Sequence, residues 1–328
     1  MVFRATGQRC ERVSTEFDFL INAEVIVDDV EVAERVFVDA LGFPTPKATW
    51  GRKQPGYGFT FLFARVCPSL AESPTRIEAM AVSSIDPDVK PERLITFLPN
   101  ILAAQGDRPW KTHANELATS DIEAVRTRLI ASGRPVHVMP STEEAPITRL
   151  WLGWDSPPQL YDPSTDGGLF LEICETQGVT ARADIWKPTP TQDLAPGAML
   201  RVMRRSWVVP DLEATLACVN ESLDWRPCHG PVVDDERGVR AATFRFVHTR
   251  SAELEVIEPI RAGELRDSLD TWGPGAWTIR IAVNDVTAKA EDLRRRGTKF
   301  EALVGSEPVL RVDTGYLGVP GLFEFAQV

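Results

Sequence analysis

Histidine is scarce in this chain. Only four occur in 328 residues: His113, His137, His229 and His248. Cysteine is nearly as rare, and its count of five is odd. No two cysteines form a C-x-x-C pair, so neither a zinc knuckle nor a disulfide scaffold is expected. Cys174 and Cys218 fall in apolar runs and read as small core residues. No apolar run approaches the roughly eighteen residues that a membrane span needs. Residues 1–16 contain no apolar stretch of the signal-peptide kind, which gives a cytoplasmic expectation. Positive charge is also short: 36 Lys and Arg stand against 47 Asp and Glu, for a net charge of −11. That balance argues against nucleic acid and against an anionic membrane surface as partners. The longest basic run, Arg294 to Arg296, closes a helical pattern, where cations complement the helix dipole.

What the chain does have is one pattern repeated four times. An alternating apolar run ends in Asp plus a branched aliphatic residue, and a helical pattern follows. The four runs end at Val30, Ile122, Leu212 and Val286. Further on, each copy carries a short apolar run with a glutamate inside it: Glu78, Glu172, Glu255 and Glu324. Each copy therefore reads as strand, helix, then about three strands. In the first helix Val30, Ala33, Phe37 and Leu41 share one face and Gly42 ends it; in the second, Ile122, Val125 and Leu129 do so and Gly133 ends it.

One such module cannot bury both faces of a curved sheet, so modules should pair. The expected organisation is an N-terminal arm (1–16) and a first paired-module domain (17–176, modules 17–109 and 110–176). A linker marked by three prolines (177–197) and a second domain (198–328, modules 198–274 and 275–328) follow. The fold class is α+β: four βαβββ modules forming two open, curved, largely antiparallel cups.

The module, and the phrase YDPSTDGGLFLEICE from Tyr161 to Glu175, resemble the vicinal oxygen chelate superfamily. That family includes glyoxalase I, bleomycin-resistance proteins, methylmalonyl-CoA epimerase and the extradiol dioxygenases. The resemblance covers nearly the whole chain after the arm, and four modules in one chain is the extradiol arrangement. It implies a cup holding a divalent metal. The ligands would be a His or Gln about seven residues before each Asp and the glutamate of the closing strand. A metal with open positions would bind neighbouring substrate oxygens.

The chain departs from that pattern. The opening-strand ligand positions hold Asn22, Ala114, Arg204 and Thr278. In the second domain Arg204 and Thr278 leave Glu255 and Glu324 without metal-ligand partners, so that cup is expected to carry no metal. Arg204 would instead pair with Glu255 or Glu324. In the first domain Glu24 and Glu116 lie two residues past the ligand position and share its face. With Glu78 and Glu172 they would place four carboxylates in one cup, and crowded buried carboxylates cannot all ionise. Strand parity turns Ala114 inward and His113 away. His113 stays a candidate because it is the only histidine near any ligand position. Arg149, Trp151 and Trp154 suit a flat anionic or carbonyl-bearing ligand, and ordinary core packing accounts for them equally well.

The expected function is a small-molecule enzyme acting by proton transfer on a carbonyl, hydroxy-acid or aromatic metabolite in the first-domain cup. It would be an isomerase, lyase or epimerase. Glu172, Glu116 and His113 would be catalytic, with Asn22, Glu24, Arg149, Trp151 and Trp154 at the substrate. A divalent metal (Fe, Mn, Mg or Zn) is left open there, with Glu172, His113 and Glu78 as its ligands. Two alternatives stand beside this: a metal-dependent dioxygenase, and a binding protein without chemistry. The partner is a small molecule, and a homodimer is left open.

Overall fold

The computed structural model describes residues 17–44, 60–67, 69–81, 98–143, 147–155, 160–180, 194–303, 305 and 307–328. The expected arm and most of the expected linker lie outside them.

The four Asp–aliphatic signals are helix starts. Asp29, Asp121, Asp211 and Asp285 are the N-caps, each accepting from a backbone N–H two or three residues on. The aliphatic residue that follows, Val30, Ile122, Leu212 or Val286, is the first buried residue of the helix. The cap satisfies an orphan donor while the aliphatic anchors the helix on its sheet.

The first half runs β1 (Phe19–Leu20), β2 (Asn22–Val27), α1 (Val30–Arg35, continued by a π-helical turn over Val36–Ala40), β3 (Thr60–Ala64) and β4 (Arg76–Ala81). It continues with α2 (Leu98–Ala104), β5 (Asn115–Thr119), α3 (Ile122–Ala131), β6 (Val136–Met139), β7 (Arg149–Leu152), β8 (Leu171–Glu175) and α4 (Thr176–Thr180). Gly42 ends the first helical stretch at φ 74°, a conformation that favours glycine.

The second half runs β9 (Met199–Val208), α5 (Leu212–Leu223), β10 (His229–Asp234), β11 (Val239–Phe244), β12 (Glu253–Pro259) and α6 (Glu264–Trp272). Then come β13 (Gly275–Val283), α7 (Val286–Arg295), β14 (Glu301–Leu303), β15 (Val309–Asp313) and β16 (Leu322–Gln327).

One pairing rule holds in all four modules: the opening strand lies parallel to the strand bearing the glutamate. The pairs are β2–β4, β5–β8, β9–β12 and β13–β16. In the second half the two opening strands pair antiparallel, joining eight strands into one curved sheet of order β10-β11-β12-β9-β13-β16-β15-β14. The first half differs. Its opening strand divides at Ile21, so β1 joins a five-stranded sheet through β5 while β2 belongs to a three-stranded one. Single backbone bonds still tie the two together, Ile21 N to Glu116 O at 2.8 Å and Ile26 N to Lys111 O at 3.0 Å.

The helix-covered faces of both halves meet in one continuous apolar core. Polar bonds stitch the seam. Lys289 Nζ donates to Leu41 O at 2.6 Å, Thr298 Oγ1 to Ala40 O at 2.6 Å, and Trp207 Nε1 to Gly168 O at 3.0 Å. The opposite faces of the sheets, away from α1, α3, α5 and α7, carry the polar side chains considered next.

Candidate functional site

Strand register decides what faces each closing-strand glutamate. Glu78 stands opposite Glu24, Glu172 opposite Glu116, Glu255 opposite Ser206, and Glu324 opposite Arg280. The same structural position thus holds acid in the first half and a hydroxyl or a cation in the second.

In the first half these glutamates gather around His113. The imidazole Nδ1 meets the Glu24 carboxylate, and the backbone N–H of His113 donates to Glu24 Oε1 at 2.9 Å. Its Nε2 lies 3.0 Å from Glu116 Oε1 and 3.2 Å from Glu172 Oε2. Strand alternation had turned His113 away from the cup. That expectation is corrected: β5 begins only at Asn115, so His113 lies ahead of the strand and alternation does not govern it. Asn22 bridges the other pair, with Nδ2 at 2.7 Å from Glu78 Oε2 and 2.6 Å from Glu116 Oε2. Arg76 Nε donates to Asn22 Oδ1 at 3.0 Å, and Arg149 Nε lies 3.1 Å from Glu172 Oε1.

The cluster is dry. Glu24, Glu78, His113 and Glu172 are buried, and Glu116 keeps 13% of its side chain exposed. Burial, then the charges of Glu116 and Glu24, push the Glu78 carboxyl well above its usual range. Burial and the Glu116 charge also raise Glu172, against the pull of His113 and Arg149. Burial would raise Glu116 too, but its hydrogen bond and charge contact with His113 override this and hold it low. For His113, burial opposes the charged form, yet Glu24, Glu116 and Glu172 together raise its pKa well above the usual value. Glu78 and Glu172 thus favour the neutral carboxyl, Glu116 the carboxylate and His113 the imidazolium.

Apolar side chains flank the cluster on both sides. Ile26, Phe61, Phe63 and Met80 pack with Leu98 and Leu102 of α2. Phe19, Ile21, Ala118 and Cys174 pack with Val179 of α4. Trp151 lies opposite Glu172 in register, with its ring 5.5 Å from that of His113. Trp154 stands elsewhere: it packs in the core against Tyr161, with ring centroids 5.2 Å apart. Of the residues expected at a first-half site, Asn22, Glu24, Glu78, His113, Glu116, Arg149, Trp151 and Glu172 are brought together, and Trp154 is not.

A divalent cation fits part of this set. Glu24, His113 and Glu116 each offer one ligand atom, and these atoms lie within 4.8 Å of one another. An imidazole nitrogen with carboxylate oxygens suits Mn, Fe or Zn. His113 Nδ1 and Glu24 Oε2 also face each other without the geometry of a hydrogen bond. Glu78 and Glu172, expected as ligands, stand outside this grouping: Asn22 engages Glu78 and Arg149 engages Glu172.

The second half is held differently. Glu255 accepts from Arg204 Nη1 at 3.0 Å, from Arg237 Nη1 and Nη2 at 2.7 and 2.9 Å, and from Ser206 Oγ at 2.6 Å. Arg204 also reaches Glu253 at 3.1 Å. Glu324 is held by Arg280, at 2.7 and 2.9 Å, and by Arg311, at 3.0 and 3.3 Å. Thr278 is buried beside them and lies opposite Ser206 in register. Sequence reasoning found Arg204 but missed Arg237, Arg280 and Arg311. Arg280 was findable, because it lies two residues past Thr278, the offset that singled out Glu24 and Glu116.

Arg205 was missed as well. It is fully buried between the rings of Trp110 and Trp207, with its guanidinium 5.4 and 5.7 Å from their centroids. It donates to Asn115 Oδ1 at 2.8 Å and to the backbone oxygen of Glu24 at 3.3 Å. A residue of the second half therefore supports a strand of the first-half cluster.

No family profile matches the sequence, and no curated protein does. Solved structures do match. A triple mutant of 4-hydroxymandelate synthase from Streptomyces coelicolor superposes with a TM-score of 0.59 at 14% identity, covering 95% of this chain and 93% of its own. Methylmalonyl-CoA epimerase from Mycobacterium tuberculosis matches 41% of this chain and 91% of its own, at 21% identity and a TM-score of 0.36. The first likeness is one of fold across nearly the full length, and nothing further rests on the second.

Proposed function

We propose that this chain, which has the vicinal oxygen chelate fold, is a small-molecule enzyme that moves a proton at a carbon next to a carbonyl, with the first-half cup as its site. One observation carries this reading: the buried His113 imidazole touches the carboxylates of Glu24, Glu116 and Glu172 at once. Glu116 is the base. It is the partly exposed member, and contact with His113 keeps it ionised. A ligand that covers Glu116 would strip its remaining water and strengthen it as a base. The substrate C–H bond breaks toward the Glu116 carboxylate, and the electron pair moves onto the carbonyl oxygen as an enolate. His113 Nε2 lies 3.0 Å from that carboxylate, and its imidazolium charge stabilises the developing enolate. Glu172 and Glu24 fix the ring, Arg149 holds Glu172, and return of the proton completes an isomerisation or epimerisation.

A second reading rests on the grouping of Glu24, His113 and Glu116. These residues would hold a divalent cation, which would supply Lewis-acid polarisation of the substrate oxygen or dioxygen chemistry. Such a cation would displace the proton from His113, so the two readings are exclusive at that atom.

The test incubates chelator-treated and Mn-reconstituted protein in D2O with a panel of 2-oxo acids, 2-hydroxy acids and acyl thioesters. NMR then follows the proton beside each carbonyl. The proposal expects exchange of that proton for deuterium in at least one compound without added metal. Exchange only after reconstitution supports the second reading. Binding of a panel compound with no exchange under either condition overturns both and leaves a binding protein.

A further inference from the structure

The second-half cup opens into a cavity of about 230 Å³ whose charged lining is mostly cationic. Arg237, Arg261, Arg266, Arg280 and Arg311 line it, against the carboxylates of Glu264 and Glu324 alone. This size is below the roughly 300–1,000 Å³ of sites for drug-sized ligands, so an occupant is small.

The buried carboxylates do not balance these arginines. Glu324 is shared by Arg280 and Arg311, and Glu255 by Arg204 and Arg237. Two guanidiniums on the one Glu324 carboxylate leave a surplus of positive charge at that part of the cup. Arg204 and Arg237 have further partners in Glu253 and Asp234, 19% and 34% exposed, so the surplus lies on the Arg280–Arg311 side. There the remaining partners are solvated: Asp235, Glu264 and Asp270 are 82%, 66% and 64% exposed and screen little of it. Arg280 uses Nε and Nη2 on Glu324, so its Nη1 has no protein partner among the described residues. The Nη1 of Arg311 has only a long contact to Glu264, at 3.4 Å.

A second feature points the same way. The nine-residue helix α6 begins at Gly263, on the cavity wall, and no side chain caps that end. Its first N–H groups and the positive end of its dipole add to the cationic field. Glu264 and Asp267 are the acidic groups in that first turn, and Glu264 is drawn aside toward Arg311. The indole of Trp277 provides an apolar wall beside the cations.

We infer that the second-half cup binds a small anion, a carboxylate or phosphate group on a compact body. Its oxygens lie on Arg280 Nη1, Arg311 Nη1 and the amides opening α6, and its body packs against Trp277. Glu264 reaches Arg311 Nη1 at 3.4 Å, so an anion bound there displaces it. The inference stands apart from the chemistry proposed for the first half.

Calorimetric titration with inorganic phosphate and with benzoate, at constant ionic strength in chloride, tests it and separates the two anion classes. Saturable binding of one of them is expected, weakened roughly 10-fold or more in Arg280→Gln and in Arg311→Gln. Glu264→Gln, at an exposed position, is expected to bind more tightly, because a competing carboxylate is gone. Absence of saturable binding for both anions up to roughly 10 mM overturns the inference. So does equal affinity in the wild type and in folded Glu264→Gln and Arg311→Gln proteins.

Discussion

Glu116 stands directly opposite Glu172 across the parallel strands β5 and β8, and one imidazole nitrogen of His113 reaches both carboxylates. At the corresponding place in β13 and β16 an arginine, Arg280, stands opposite Glu324. One module geometry therefore supports an acidic cup in one half and a basic cup in the other. Part of the difference lies in one register position, because parallel pairing forces whatever occupies it against the closing-strand glutamate; Arg204, Arg237 and Arg311 supply the rest.

Glu78→Gln is expected to stabilise the protein at high pH. Burial, with the charges of Glu116 and Glu24, raises the folded-state pKa of Glu78. A raised carboxyl contributes its stability below its unfolded value and loses it as pH rises through the folded one. Gln keeps an acceptor for Asn22 and removes the titration. Urea unfolding should show the variant ahead by about 1–2 kcal/mol at pH 8, and level with the wild type near pH 4.5. A variant weaker at both pH values would contradict this.

Glu255→Gln should act in the opposite direction. Burial would raise Glu255, but the Arg237 guanidinium, with Arg204 and Ser206, holds it down from 4.5 to about 2. Its contribution, about 3 kcal/mol, is present above its unfolded pKa and is lost as pH falls toward the folded value. The wild type should exceed the variant by that order at pH 6, and the gap should close on acidification to about pH 2. An unchanging gap in chemical denaturation across this window would show that Glu255 does not carry the charge.

Arg205→Met should destabilise both halves together. Burial lowers the Arg205 pKa only to about 10, so it remains charged at neutral pH. Met fills the space between Trp110 and Trp207 but leaves Asn115 Oδ1 without its Arg205 donor, while the Glu24 carbonyl keeps its bond from Trp110 Nε1. A loss of about 1–3 kcal/mol in thermal unfolding is expected. Equal or greater stability would mean that desolvation of the charge outweighs its hydrogen bonds.

The four-module plan was legible because each Asp–aliphatic pair performs two local tasks at once, capping a helix and anchoring it. The inward placement of Glu24 and Glu116 followed from alternation alone. His113 was not legible by the same rule, since its position depends on where β5 begins, and strand ends are set by tertiary contacts. The helices α2 and α6 were missed because they fall between the repeated signals, in segments to which no element was assigned. The charge reversal in the second half was partly legible: the repeat offset reaches Arg280, whereas Arg237 and Arg311 come from positions that no repeat marks.

The central claim is that Glu116 in the first-half cup takes the proton. Once a panel compound exchanges in D2O, its exchange rate in Glu116→Gln, with folding checked by circular dichroism, tests that claim most directly. The account predicts a loss of at least roughly 100-fold, the lower end of what a positioned general base supplies. Exchange at the wild-type rate in folded Glu116→Gln, with loss in Arg280→Gln instead, would place the chemistry in the other cup and contradict it.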